Sequence, residues 1–135
     1  MTSNAAAEVF EGGCHCGAVR FRVAVRSRDA VQCNCSICAK KGYLHLIVAD
    51  SDFELLRGAD ALTTYTFGTH TAKHHFCRHC GIHSYYRPRS HPDQIDVNLR
   101  CLDGVDPSGF QVSTFDGQNW EDNIEALRSR RRTVQ

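Results

Sequence analysis

The chain has 135 residues, with 16 lysines and arginines against 15 aspartates and glutamates, for a net charge of +1 at pH 7. That length suits one domain, 1–135, able to bury roughly two-thirds of its unfolded surface, and the balanced charge argues against a dedicated nucleic-acid binder. No run approaches the roughly 18 apolar residues of a membrane-spanning helix, and residues 1–10 lack the basic segment and hydrophobic run of a secretory leader.

In chain order, Cys14-His-Cys16-Gly17 precedes the first predicted strand. There Val19, Phe21, Val23 and Val25 alternate with Ala18, Arg20, Arg22 and Ala24, a period of two with one buried face. Arg28-Asp29 turns the chain toward Cys33, and Ser36 to Lys41 reads as a tight turn or one short helical turn. Tyr43 to Ala49 predicts an apolar strand. Phe53 to Leu56 predicts a short strand or turn, broken by Gly58-Ala-Asp60. Leu62 to Phe67 is rich in threonine and aromatics and predicts a strand, after which Gly68-Thr69 turns the chain and Ala72 to Cys77 leads into a third cysteine cluster. Ile82 to Arg87 predicts another strand, ended by Pro88. Ile95, Val97 and Leu99 alternate with Asp96, Asn98 and Arg100, and Gly104, Pro107 and Gly109 mark a loop. Helical spacing appears over 119–127, where Trp120, Ile124 and Leu127 fall at i, i+4 and i+7 and Asn119 can cap. The run Arg128-Ser-Arg-Arg-Arg132 reads as part of a flexible basic tail, 128–135, with a nucleic-acid or membrane-surface arm as the alternative.

Seven of the eight cysteines fall in three clusters: Cys14-His-Cys16-Gly17, Cys33-Asn-Cys35-Ser-Ile-Cys38 and Cys77-Arg-His-Cys80-Gly81. Short C-x-C and C-x-x-C spacings bring thiolates to one soft metal ion without long loop closures. Reduced thiols ligating metal fit a cytoplasmic or nuclear compartment. Pairing the two clusters that carry a trailing glycine gives a four-thiolate structural site, Cys14, Cys16, Cys77 and Cys80. Cys33, Cys35 and Cys38 remain as a three-thiolate site with one open position. The alternatives are a redox C-x-x-C, a histidine as fourth ligand of the second site, a mixed cluster and an iron–sulfur centre. His15 and His79 lie inside the turns. His74 and His75 are adjacent, so on a strand only one can face a given site, and His45 or His83 can flank either cluster. Cys101 stands apart and reads as a small buried hydrophobe.

The ordered patterns G-x-C-x-C-G, C-x-C-x-x-C and F-C-x-x-C-G, in a match running from Gly13 to the Trp120 segment, resemble the family that unites glutathione-dependent formaldehyde-activating enzymes with centromere protein V. The stretches 35–42, 62–67, 85–90 and 101–104 resemble the centromere-protein branch more closely. The resemblance implies a mainly β fold of several small coiled antiparallel sheets stapled by zinc, with one short C-terminal helix. It implies two Zn²⁺ per chain with the ligand split above, the three-cysteine zinc being the catalytic one. It also implies a carbon–sulfur lyase-type activity adding glutathione or a related thiol to formaldehyde or another small aldehyde. A non-catalytic zinc module binding protein or nucleic acid is the alternative, and a homo-oligomer stays open. Lys40, Lys41, Arg87 and Arg89 are candidate cations for an anionic thiol such as glutathione, the two lysines after Cys38 being the better placed. Tyr85 or Tyr86 is the candidate wall beside the second site, His74 a candidate proton donor, and Tyr65 and Phe67 are expected in the core.

Overall fold

The computed structural model describes residues 7–88, 90–91, 93–119 and 124. Among the described residues, ten strands and one short α-helix with defined bounds run in the order β1 (Glu8–Gly13), β2 (Arg20–Val25), β3 (Asp29–Cys33), α1 (Ser36–Lys41), β4 (Leu44–Ala49), β5 (Phe53–Arg57), β6 (Leu62–Tyr65), β7 (His74–Cys77), β8 (Tyr85–Tyr86), β9 (Gln94–Asn98) and β10 (Gln111–Phe115). They form a three-stranded sheet ordered β1-β2-β5, a five-stranded sheet ordered β10-β3-β4-β9-β8, and the pair β6-β7. The fold is mainly β with little helix, and no described helix is long and apolar enough to cross a membrane.

The period of two in β2 does what its pattern requires. Phe21, Val23 and Val25 are buried in the main core, while Arg22 faces out between Glu11 and Glu54, its direct partners on the neighbouring strands. Such exposed ion pairs fix register more than they add stability.

The five-stranded sheet has two unlike faces, and that difference positions everything that follows. On one face Leu44, Leu46 and Val48 of β4 join Ile95 and Val97 of β9 and Tyr85 of β8 in the main core. On the other, His45 and Ile47 of β4, Asp96 of β9 and Tyr86 of β8 line a cavity. Register fixes the row: Ile47 lies opposite Asp96, and Tyr86 lies opposite Asp96 on its other side.

Several expectations are corrected. The large sheet is not wholly antiparallel, because β10 joins β3 in parallel. β1, β3 and β10 carry local patterns too weak to predict strands; pairing makes them so, β1 with the adjacent β2 and β10 with β3 far back in the chain. The strand expected over 82–87 is confined to Tyr85–Tyr86. Tyr65 and Phe67 are exposed rather than core, at 51% and 43%. The helix expected over 119–127 lies outside the described residues except for Asn119, which ends a 3-10 turn, and Ile124, buried against Val31 and Phe115. The basic tail 128–135 also lies outside them.

Candidate active site

The first cysteine group is built by two turns of one design. After β1, the backbone of Cys14 donates to Val19 O at 3.1 Å, and Val19 N returns a hydrogen bond to Cys14 Sγ at 3.3 Å. After β7, Gly81 N donates to Cys77 O at 2.8 Å and His79 N to Cys77 Sγ at 3.4 Å. Gly17 and Gly81 close these turns at φ +83° and +78°, where a side chain would be strained. Val19 and Ala61 pack around the buried Cys14 and Cys77. The four sulfurs all lie within 4.8 Å of one another. The separations Cys14–Cys16, 3.7 Å, and Cys16–Cys77, 3.6 Å, match the edge of a tetrahedron. Metal–sulfur bonds of about 2.3 Å would give edges of about 3.8 Å. His15 and His79 point out to solvent and stand outside the group.

The second group sits where β3 hands over to α1. Cys33 ends the strand, Cys35 caps the helix, and the buried Cys38 lies within it. The short helix expected from Ser36 to Lys41 is present and ends on left-handed Gly42. The three sulfurs lie within 4.8 Å of one another, and no histidine nitrogen belongs to the group among the described residues. Thiols so close cannot all ionise alone. Hydrogen bonds from Cys33 and Cys38 hold Cys35 far below the ordinary thiol range, while hydrogen bonding to Cys35 pushes Cys33 up to about 11. Cys38 is pushed higher still, by Cys33 and then Cys35. A dication relieves that repulsion, so the donor set suits a soft metal. The backbone makes room as well: a Cβ on Gly117 would run into Cys33 Sγ and lie 2.9 Å from Cys35 Cβ.

The second group opens onto a cavity of about 450 Å³. Its cysteine end is polar, with His45 and Asp96. Its walls are largely apolar, from Ile37, Ile47, Phe67 and Phe115. His45 Nε2 lies 3.2 Å from Cys38 Sγ, and His45 Nδ1 donates to Asp96 Oδ2 at 2.6 Å. Tyr43 OH donates to the Asp96 carbonyl at 2.6 Å, and Tyr86 OH lies 3.4 Å from His45 Nδ1.

His74 also faces the cavity, stacked between Phe67 and Tyr86 at ring distances of 5.5 and 4.8 Å. Burial, then the charge of Lys41, pushes its pKa down to about 4. It is therefore neutral near pH 7. Lys41 Nζ lies 3.4 Å from His74 Nδ1 and sits over the rings of Tyr43 and Tyr86, at 4.6 and 4.5 Å. His75 turns the other way, 2.9 Å from Thr64 Oγ1.

The predicted residues thus divide. Cys33, Cys35, Cys38, His74 and Tyr86 meet at the cavity, with Lys41 behind Tyr86. Tyr85 instead packs on Phe53 in the core, at 4.6 Å. Arg87 is turned to Asp50 at 2.5 Å and to Gln94 O at 3.3 Å, and neither it nor the exposed Lys40 lines the cavity. Asp96 was missed because its strand alternates polar with apolar, which reads as a wet face; here that face is covered, and Asp96 is 1% exposed. Gly117 and Phe115 carry no local signal, since their role depends on β10 returning beside β3.

The profile of the family described as glutathione-dependent formaldehyde-activating enzyme matches residues 9–118. A Halomonas elongata protein named for glutathione-dependent formaldehyde activation is 37% identical over 81 residues, covering 53% of this chain and 52% of that protein. The match thus spans about half the length of that relative. A crystal structure of a Rhodobacter sphaeroides protein aligns with a TM-score of 0.70 at 42% identity, over 76% of this chain and 99% of that one.

Proposed function

The chain belongs to the glutathione-dependent formaldehyde-activating enzyme family, and we propose that it joins a thiol, glutathione or a relative, to formaldehyde or another small aldehyde at the three-cysteine end of its cavity. The carrying observation is the contrast between the two cysteine groups: one is complete with four sulfurs, and the other offers three and opens on a chamber. On this reading Cys14, Cys16, Cys77 and Cys80 hold a structural zinc that staples the β1 end to the β7 end. Cys33, Cys35 and Cys38 hold a second. Held by those three thiolates, zinc would supply an open position that favours the thiolate form of an incoming thiol near neutral pH.

The chain's own residues supply the rest. Ile37, Ile47, Phe67 and Phe115 shield the cysteine end from bulk water and hold the reactants together, which lowers the entropic cost of their meeting. The thiol sulfur bonds to the aldehyde carbon as the C=O π bond opens, and the oxygen takes up, through solvent, the equivalent of the proton that the thiol gave up, giving a hemithioacetal. Neutral His74, its Nδ1 accepting from Lys41, keeps its hydrogen on Nε2 and serves as a hydrogen-bond donor rather than a charged acid. Burial holds the Tyr86 hydroxyl protonated, so it too can only donate or accept a hydrogen bond. Among the described residues Lys41, beside His74 and over the Tyr86 ring, is the candidate cation for an anionic thiol, and Arg89 lies outside them. Lys40, Arg87 and Tyr85 are assigned no contact with substrate.

The test is formation of S-hydroxymethylglutathione from glutathione and formaldehyde, followed by NMR with purified zinc-loaded protein. The reading expects the exchange rate to rise in proportion to wild-type protein and to return to the uncatalysed rate with Cys35→Ser. No acceleration, together with salt-dependent binding of duplex DNA, would instead favour a non-catalytic zinc module.

A further inference from the structure

The three sulfurs of the second group are not equivalent. Cys33 and Cys35 are half-buried beside the Gly117 turn, whereas Cys38 is buried and its sulfur is met by a side chain, His45 Nε2 at 3.2 Å. The opposite ring nitrogen donates to Asp96 Oδ2 at 2.6 Å. His45 is 5% exposed and Asp96 1%. A carboxylate at that depth costs several kcal/mol to bury unless it is paired. Here its paired side chain is His45, its Oδ1 has no hydrogen-bond partner among the described residues, and Lys41 acts on it only through charge. The main core lies on the other face of the sheet, so apolar packing does not explain either residue. Among the described residues the four-cysteine group has no such side-chain partner: its sulfurs take hydrogen bonds from the backbone at Val19 and His79 and from one another.

We infer that Asp96 and His45 are positioning residues for Cys38: the carboxylate fixes the imidazole ring, and the imidazole hydrogen-bonds the sulfur, making Cys38 the anchored member of the three-cysteine site. This rests on the reading that Cys33, Cys35 and Cys38 hold a metal ion. A ligand whose direction is fixed in advance loses less freedom on binding, and removing such an outer partner typically costs about 10–100-fold in metal affinity. Toward a thiolate Nε2 must donate, as Nδ1 does toward Asp96, so the ring acts as an imidazolium balanced by the Asp96 carboxylate; that hydrogen bond also withdraws charge from the sulfur, which matters where three thiolates outweigh a dication.

The experiment uses the full chain loaded with cobalt, whose thiolate charge-transfer band reports its sulfur ligands, and competes the metal away with a chelator. Wild type is expected to release two ions per chain. In His45→Leu one ion is expected to be held about 10–100-fold more weakly with a shifted band, while the other is unchanged and serves as an internal control. His45→Gln keeps an N–H donor and is expected to recover part of the affinity. Asp96→Asn, which keeps the size of the side chain, is expected to fall between His45→Leu and wild type. A purely structural pair would lower thermal stability and leave release and spectrum alone, and that result overturns the inference. Should His45→Leu fail to fold, wild-type release by folded Asp96→Asn overturns it equally. A wild type that binds one ion per chain defeats the metal reading itself, before any variant is compared.

Discussion

Gly117 occupies a place where no side chain fits, against Cys33 Sγ and Cys35. Gly117→Ala should therefore push the two cysteines apart and empty the second metal site while the first stays filled. Elemental analysis should read about one zinc per chain in place of two, with an unchanged far-ultraviolet spectrum; two retained ions would show that the turn yields instead. His74 gives a pH prediction. Burial and Lys41 lower its pKa from 6.5 to about 4, so the unfolded chain binds a proton there that the folded chain refuses. The contribution of neutral His74 is present above pH 6.5 and is lost as pH falls toward 4. His74→Phe should flatten the fall of stability between those values in denaturant titrations, while an unchanged slope would assign the fall to other groups. The cysteine pattern was legible at this scale because short spacings need no fold to bring thiols together. Asp96 was not, since its burial is set by what β4 and β8 place beside it.

At the scale of the element, β4 carries two jobs on alternate residues. Leu46, 2% exposed, belongs to the main core, and Leu46→Ala should cost about 2–5 kcal/mol in denaturant unfolding. Ile47 faces the cavity, so Ile47→Ala should cost less stability and change ligand affinity instead. Equal losses of stability would contradict the assignment of faces. The alternation in β2 and the turn at α1 were readable because each is settled by neighbours in sequence. β3 and β10 were not: five residues flanked by a turn carry too little pattern, and their parallel pairing joins segments some 80 positions apart. The same long-range return places Phe115 and Gly117 at the site.

For the whole molecule, the proposed function has the cysteine groups divide labour between holding the fold and presenting a reactive end. The first ties the end of β1 to the end of β7, a closure of 61 residues between Cys16 and Cys77. Binding free energy for a structural metal is largely folding free energy. Cys77→Ser should therefore lose the cooperative unfolding transition or most of its stability, whereas Cys35→Ser should keep it and lose one ion. Equal collapse of both would erase the division. Calorimetric titration of the zinc-loaded protein with glutathione tests the central claim most directly. Saturable binding at one site per chain, absent in folded Cys35→Ser that retains one zinc, is the predicted result. No binding to wild type, or binding that survives the loss of Cys35, would contradict a thiol-accepting three-cysteine centre.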